Sequence, residues 1–181
     1  MPDERMVTVL WLLPAEPARG ALRALVARLA EECDAPVFEP HLTLGLGTPA
    51  ILGGTCFRRS RTRGRASLRK IARGVIRLRT RGVGFTPQFT KTLFVRLEYS
   101  AALRSLRNSL GMENSGAFDP HISVLYRELT EARQAELARS VALPFTSVLF
   151  DSLALIRCPD PTNSRADVES WEVVASRKPV H

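Results

Sequence analysis

Two of the three histidines in this chain stand in one recurring setting, Pro40-His41-Leu42-Thr43-Leu44 and Pro120-His121-Ile122-Ser123-Val124, and the histidines are 80 positions apart. Each copy reads proline, histidine, aliphatic, hydroxyl, aliphatic. In a β-strand residues i and i+2 share a face. The pattern therefore places His41 beside Thr43 and His121 beside Ser123, and turns Leu42 and Ile122 the other way, into packing. An imidazole changes charge near neutral pH, and a hydroxyl next to it can hold an oxyanion. Each copy is half of a catalytic site, so the two motif strands are expected to meet. The third histidine, His181, lies at the terminus and carries no pattern.

The rest of the chain supplies elements to carry the two strands. Met6 to Leu13 is short, apolar and β-branched, a central strand ended by Pro14. Between Glu16 and Glu32, residues Leu22, Leu25, Val26 and Leu29 follow the spacing of an amphipathic helix, which Pro36 stops. Val37 to Leu46 is the first motif strand. Ser67 to Arg73 reads as a short helix. Val75 to Phe85 and Lys91 to Leu97 alternate as a hairpin joined by Thr86-Pro87-Gln88. Ser100 caps a helix that runs through Leu110 to Gly111. Phe118 to Tyr126 is the second motif strand, Thr130 opens a helix lasting to about Ser140, and Val148 to Arg157 and Ser170 to Ala175 are the final strands. In each half a helix leads into a Pro-His strand, with no linker-like composition between the halves. The expected architecture is α+β and pseudo-symmetric: two lobes, each a mainly antiparallel sheet, facing a central cleft with helices outside.

Net charge is +8, and no Asp or Glu occurs between Glu39 and Glu98, an interval holding 13 of the 26 Lys and Arg residues. The densest run is Arg58, Arg59, Arg61, Arg63 and Arg65. It reads first as a solvated stretch with little apolar content to anchor it, and second as a device steering an anionic substrate. No apolar run reaches the length of a membrane span, and Met1-Pro2-Asp3-Glu4-Arg5 is not a signal-peptide pattern. A cytoplasmic, monomeric protein with no membrane partner is the expectation. Cys33, Cys56 and Cys158 lie far apart without a Cys-x-x-Cys pair and read as small buried thiols.

Three chemistries compete for the motifs. A metal site wants three or four ligands. That reading counts Asp119 beside the second motif and no partner acid beside the first, so metal-free chemistry fits better. A serine hydrolase wants an exposed nucleophile, and Ser123 has no Gly-x-Ser-x-Gly elbow. Two imidazoles across a phosphate suit in-line displacement, one taking the proton of the attacking water and the other donating to the departing oxygen. Thr43 and Ser123 would hold the non-bridging oxygens.

These residues resemble the two-histidine (2H) phosphoesterase superfamily, whose hallmark is a pair of His-x-Thr/Ser motifs, and within it the cyclic phosphodiesterase branch. Asp119-Pro120-His121-Ile122-Ser123-Val124-Leu125-Tyr126 and the segment through Thr130 are similar to that branch, as are Val9-Leu10-Trp11-Leu12-Leu13-Pro14 and Trp171-Glu172-Val173-Val174-Ala175. The similarity lapses between about Leu52 and Arg73. It implies a bilobal fold over residues 1–181 as one domain of two intertwined lobes, with the site between lobes and no metal or organic cofactor. It implies opening of a nucleoside 2′,3′-cyclic phosphate or ADP-ribose 1″,2″-cyclic phosphate to a monoester, with His41 and His121 as the acid/base pair and Thr43 and Ser123 on the phosphate. Tyr126 and Trp11 match aromatic positions of the family's cleft, against a packing role for each. The alternatives are an enzyme of RNA ends, resembling 2′-5′ RNA ligases, and a non-catalytic nucleotide- or RNA-binding module.

Overall fold

The computed structural model describes residues 5–47, 76–112 and 118–177. The arginine run, the expected helix at 67–73, Cys56 and His181 lie outside the described residues.

The chain runs β1 (Arg5–Pro14), α1 (Ala18–Cys33), β2 (Leu42–Leu46), β3 (Ile76–Phe85), a 3₁₀ turn (Phe89–Lys91), β4 (Leu93–Leu97), α2 (Ala101–Ser109), β5 (His121–Leu125), α3 (Glu131–Ser140), β6 (Ser147–Asp160), α4 (Arg165–Glu169) and β7 (Glu172–Arg177). Every strand pairing among them is antiparallel. The strand order is β2-β1-β6-β3-β4-β5, with β7 also on β6. β1 pairs with β6 along its whole length, from Arg5 against Asp160 to Pro14 against Phe150. β3 joins the halves: Ile76 to Arg79 pair with β6, and Thr80 to Phe85 pair with β4. The order is palindromic in role, because a motif strand lies at each end and its inner neighbour is the strand preceding it across a helix.

The alternation expected of the strands decides which side chains reach the cleft. Leu10 and Leu12 of β1 enter the main core, while Trp11 and Leu13 pack in a smaller cluster on the opposite face with Ala154 and Ile156 of β6. Leu42 and Leu44 are fully buried in the main core, as are Ile122 and Val124. Burial of each such side chain contributes about 1.5–3 kcal/mol. Thr43, His121 and Ser123 are thereby left on the other face.

The helices cross between the two halves. α1 follows β1 in sequence, yet it packs against β5 as well as β1. Its buried stripe is Leu22, Val26 and Leu29, with Ala18 and Ala30. α2 precedes β5, yet its buried Arg107 donates from Nε to the Leu44 carbonyl of β2 at 3.3 Å. The Arg107 guanidinium also lies 3.7 Å from the Phe118 ring centroid. This exchange draws the terminal strands β2 and β5 into contact. The sheet curls until its ends meet.

Several local expectations hold in detail. Ser100 and Thr130 cap α2 and α3 by accepting the Leu103 and Arg133 amides. In β3, Leu78 is buried, with Arg77 and Arg79 exposed on either side of it. Others differ. α1 starts at Ala18 rather than Glu16 and ends at Cys33, one residue past Glu32, with Asp34 in the left-handed conformation at φ 48° closing it ahead of Pro36. Both motif strands are shorter than expected: β2 starts at Leu42 and β5 at His121. Pro36 and Pro40 have no N–H to give a ladder, and Pro120 has none either. The hairpin link is longer than Thr86-Pro87-Gln88, and is held by the buried Thr92 hydroxyl, which donates toward the carbonyls of Phe89 and Arg127 at 2.9 and 2.7 Å. α4 was not anticipated; Ser164 and Asp167 form its capping box. No helix among the described residues is long and apolar enough to cross a membrane.

Candidate active site

His41 sits one residue before β2, between Pro40 and the first paired position, Leu42 against Leu12. Its Nδ1 lies 2.6 Å from the Glu39 carbonyl. A carbonyl only accepts, so Nδ1 carries the hydrogen and Nε2 is left as the nitrogen that takes or gives a proton. Trp11 stacks on the ring at 3.5 Å and 9°. Trp171 and Phe38 meet it edge-on at 5.9 and 6.4 Å. Only 5% of His41 is exposed. The Glu39 side chain is turned away to α1, where Arg19 Nε holds it at 2.6 Å and Arg23 at 2.8 Å.

The second copy repeats this construction. His121 opens β5, and its Nδ1 lies 2.8 Å from the Asp119 carbonyl. The Asp119 carboxylate is held by Lys91 Nζ at 2.6 Å, and Phe94 meets the His121 ring edge-on at 5.3 Å. Gly84 makes room for that phenylalanine, since a Cβ there would lie 2.9 Å from the Phe94 ring. An acid thus stands beside both motifs, which corrects the expectation that the first has none. The repeat spans Phe38 to Leu44 and Phe118 to Val124, reading Phe, acid, Pro, His, aliphatic, hydroxyl, aliphatic. Both acids are engaged by cations, and their backbone carbonyls serve the imidazoles. Among the described residues no group of His, Cys, Asp and Glu gathers as a metal-ligand set.

His41, Thr43, His121, Ser123, Tyr126 and Trp11 all line one cavity of about 170 Å³. Thr43 is exposed there, opposite Trp11 in the β1–β2 ladder. Ser123 is buried and donates to the Thr90 carbonyl at 2.8 Å. Trp11 is the flat wall behind His41. Tyr126 stacks on Phe38 at 3.9 Å and is 4% exposed, so both aromatics pack as well as line. Five lining residues are not among the site candidates read from the sequence: Val9, Thr90, Cys158, Thr162 and Trp171. Thr90 and Thr162 carry no periodic signal, being in a turn and a loop. Trp171 is legible in the sequence as the head of the segment that resembles the cyclic phosphodiesterase branch, but not as a cavity residue.

No Asp, Glu, Lys or Arg side chain lines this cavity among the described residues. The walls are hydroxyls, aromatic faces and the two imidazoles. Burial pushes His41 down to about 3, helped by its neighbour His121 and opposed by the bond to Glu39. His121 is also lowered by burial and by Lys91, with Asp119 working the other way. Burial raises the Tyr126 phenol, which stays neutral at physiological pH. The Lys91 bond lowers Asp119 and keeps it ionised.

His41 gives a stability prediction. Its folded-state value lies below its ordinary 6.5, so below that pH the unfolded chain binds a proton that the folded chain does not. Stability should fall as pH drops from 6.5 toward 3, by about 2 kcal/mol at pH 5 from this group alone. Urea unfolding at pH 7 and pH 5 should show a smaller loss in His41→Gln than in the unsubstituted chain; equal losses would contradict it.

An antiparallel α+β fold that curls two His-x-hydroxyl strands onto one cavity defines a two-histidine phosphoesterase. Comparison with known proteins places it further. The chain belongs to the cyclic phosphodiesterase-like protein family, whose model matches residues 6–178, and is a hydrolase of phosphoric diesters. It is 27% identical over 170 residues to a cyclic phosphodiesterase of Arabidopsis thaliana, covering 91% of each chain. Its fold is similar to that of LigT from E. coli, solved with 3′-AMP, at a TM-score of 0.50 and 18% identity over 99% of this chain and 100% of that one. A structure described as a phosphoesterase matches at a TM-score of 0.51 and 14% identity, over 98% and 100% of the two chains.

Proposed function

We propose that the chain hydrolyses a ribose cyclic phosphate, a nucleoside 2′,3′-cyclic phosphate or ADP-ribose 1″,2″-cyclic phosphate, to a phosphomonoester without a metal. The observation that carries this reading is the matched pair of imidazoles on one cavity, each with Nδ1 tied to a carbonyl two residues back. Two such groups supply both proton transfers that the reaction needs. The neutral imidazole takes a proton from water as its oxygen attacks phosphorus. The protonated imidazole gives a proton to the departing ribose oxygen, which leaves in line, and the ring opens. Thr43 and Ser123 hold the non-bridging oxygens as their charge grows. After one turnover the protons have changed places, and exchange with solvent resets the pair. The name of the Arabidopsis relative and the 3′-AMP in LigT support a nucleotide-like ligand.

The burial of the two rings sets the pH dependence. The reactive state has one proton on the pair. In the free cleft that proton sits on His121, because His41 is the more strongly lowered. This state is populated between about 3, for His41, and a His121 value below 6.5. The kcat/KM profile reports the free enzyme. Its optimum is therefore expected on the acid side of 6.5, with activity falling about tenfold per pH unit above the His121 value. A symmetric bell centred at or above neutrality would contradict the burial argument.

The direct test is a turnover panel of cyclic phosphates in EDTA, followed by phosphorus NMR. Monoester formation from a mononucleoside cyclic phosphate is the expected result. Binding with no hydrolysis would favour a non-catalytic nucleotide module, and loss of turnover in EDTA would overturn the metal-independent mechanism.

A further inference from the structure

Each motif has an acid held by a cation, but the two clasps face different ways. At the first, Arg19 and Arg23 draw the Glu39 carboxylate toward α1. At the second, the cation stays near the imidazole. Lys91 Nζ donates to Asp119 Oδ2 at 2.6 Å and lies 4.6 Å from the centroid of the Phe94 ring. Phe94 in turn meets the His121 ring edge-on at 5.3 Å. We propose that Lys91 is a positioning residue for His121: it anchors the residue whose carbonyl orients the imidazole, and it sets a fixed positive charge beside the ring. The inference deepens the two-histidine mechanism proposed above and rests on it.

Lys91 is built into its place. Its side chain is 18% exposed. Its carbonyl accepts from the Thr86 hydroxyl at 2.7 Å, and the neighbouring Thr90 carbonyl accepts from Ser123 of β5 at 2.8 Å. The turn that carries the ammonium is thus tied to the strand that carries His121. Asp119 completes the link, because Lys91 holds its carboxylate while its carbonyl, 2.8 Å from Nδ1, orients the ring. The charges around His121 oppose one another. Lys91 disfavours the imidazolium and Asp119 favours it, on top of the lowering by burial. Arg96 stands opposite His121 in the β4–β5 ladder, but it is exposed to water and its side chain lies over Gly84, on the β3 side of β4. His41 holds no proton until the pH falls toward about 3. The Tyr126 phenol and Cys158 thiol on the same cavity are raised by burial and stay neutral. Since the proton of the free cleft sits on His121, a fixed cation beside it makes the imidazolium a stronger acid, suited to protonating the departing ribose oxygen.

The test follows the titration of His121 in two ways, by NMR of its ring in the free protein and by the alkaline limb of kcat/KM on a nucleoside 2′,3′-cyclic phosphate. Lys91→Met keeps an apolar stem over Phe94 and removes the charge. It should move both titrations to higher pH. Its activity relative to the unsubstituted chain should then be about threefold higher on the alkaline limb than at the optimum. At the optimum kcat should fall about threefold with KM little changed, because the carbonyl that orients the ring is less firmly held. Lys91→Arg should restore both properties. Asp119→Asn should move the titrations the other way, to lower pH, since the anion is gone and Lys91 remains. A merely structural role would lower activity in both variants and move neither titration. Unmoved titrations in the folded variants, or shifts of the same sign in Lys91→Met and Asp119→Asn, would overturn the proposal. If Lys91→Met does not fold, Asp119→Asn decides alone: a downward shift supports the proposal and an unmoved titration overturns it. Should the unsubstituted chain hydrolyse no cyclic phosphate, the phosphodiesterase reading falls, and the ring titration still decides whether Lys91 sets the charge on His121.

Discussion

Replacement of either His41 or His121 by alanine is expected to lower kcat by at least ~10²-fold, the scale of a general acid or base. In the proposed mechanism each ring does one proton transfer, and neither can do both, because the attacking water and the leaving oxygen lie on opposite sides of phosphorus. Groups that act as a unit are not additive. The double variant should therefore be little worse than the more damaged single one. Fold loss has to be separated from loss of chemistry, most of all at His41, where the ring fills the space beside Trp11. Urea unfolding of each variant serves this purpose, and His121→Ala is the cleaner probe because His121 is half-buried. Turnover near the unsubstituted rate in both folded single variants would refute the two-histidine mechanism.

The second large effect is expected at the hydroxyls. Thr43→Val and Ser123→Ala remove the groups that the proposed mechanism places on phosphate in the transition state, so kcat should fall more than KM rises. For Thr43→Val the expected loss approaches ~10²-fold, the cost of one oxyanion donor. Ser123 should matter less. Its hydroxyl already donates to the Thr90 carbonyl at 2.8 Å, and turning to phosphate exchanges one hydrogen bond for another, a difference of about 1 kcal/mol. Steady-state kinetics on a nucleoside cyclic phosphate would check the order. Unchanged kcat in both variants would show that the hydroxyls do not carry the developing charge.

Much of the fold was legible because its signals are local. Leu22, Val26 and Leu29 mark the buried stripe of α1 by spacing alone. Ser100 and Thr130 announce helix starts through side-chain oxygens that accept nearby amides, a matter of three residues. Leu78 between Arg77 and Arg79 shows which face of β3 turns inward. The errors have local causes as well. The motif strands are shorter than their apolar content suggests, because Pro40 and Pro120 carry no N–H for a ladder. Glu39 stands before His41 as Asp119 stands before His121, so the acid beside the first motif is already present in the sequence. Thr90 and Thr162 carry no sequence signal, since a turn and a loop converge on the cavity without a shared period, and Trp171 is marked only by the segment that resembles the family.

The candidate site divides in the same way. From the sequence alone come the partners within each strand, His41 with Thr43 and His121 with Ser123, because alternation along a backbone is a property of consecutive residues. Trp11 and Tyr126 came from the sequence as well, by resemblance. That the two halves meet is a tertiary fact. β2 and β5 lie at opposite ends of the strand order, and they touch only because α1 packs onto β5 and Arg107 of α2 reaches β2, curling the sheet between them. The acid-base character of the pair is tertiary too. His41 and His121 begin with the same imidazole, and unequal burial, with Trp11 against one and Lys91 near the other, sets them apart.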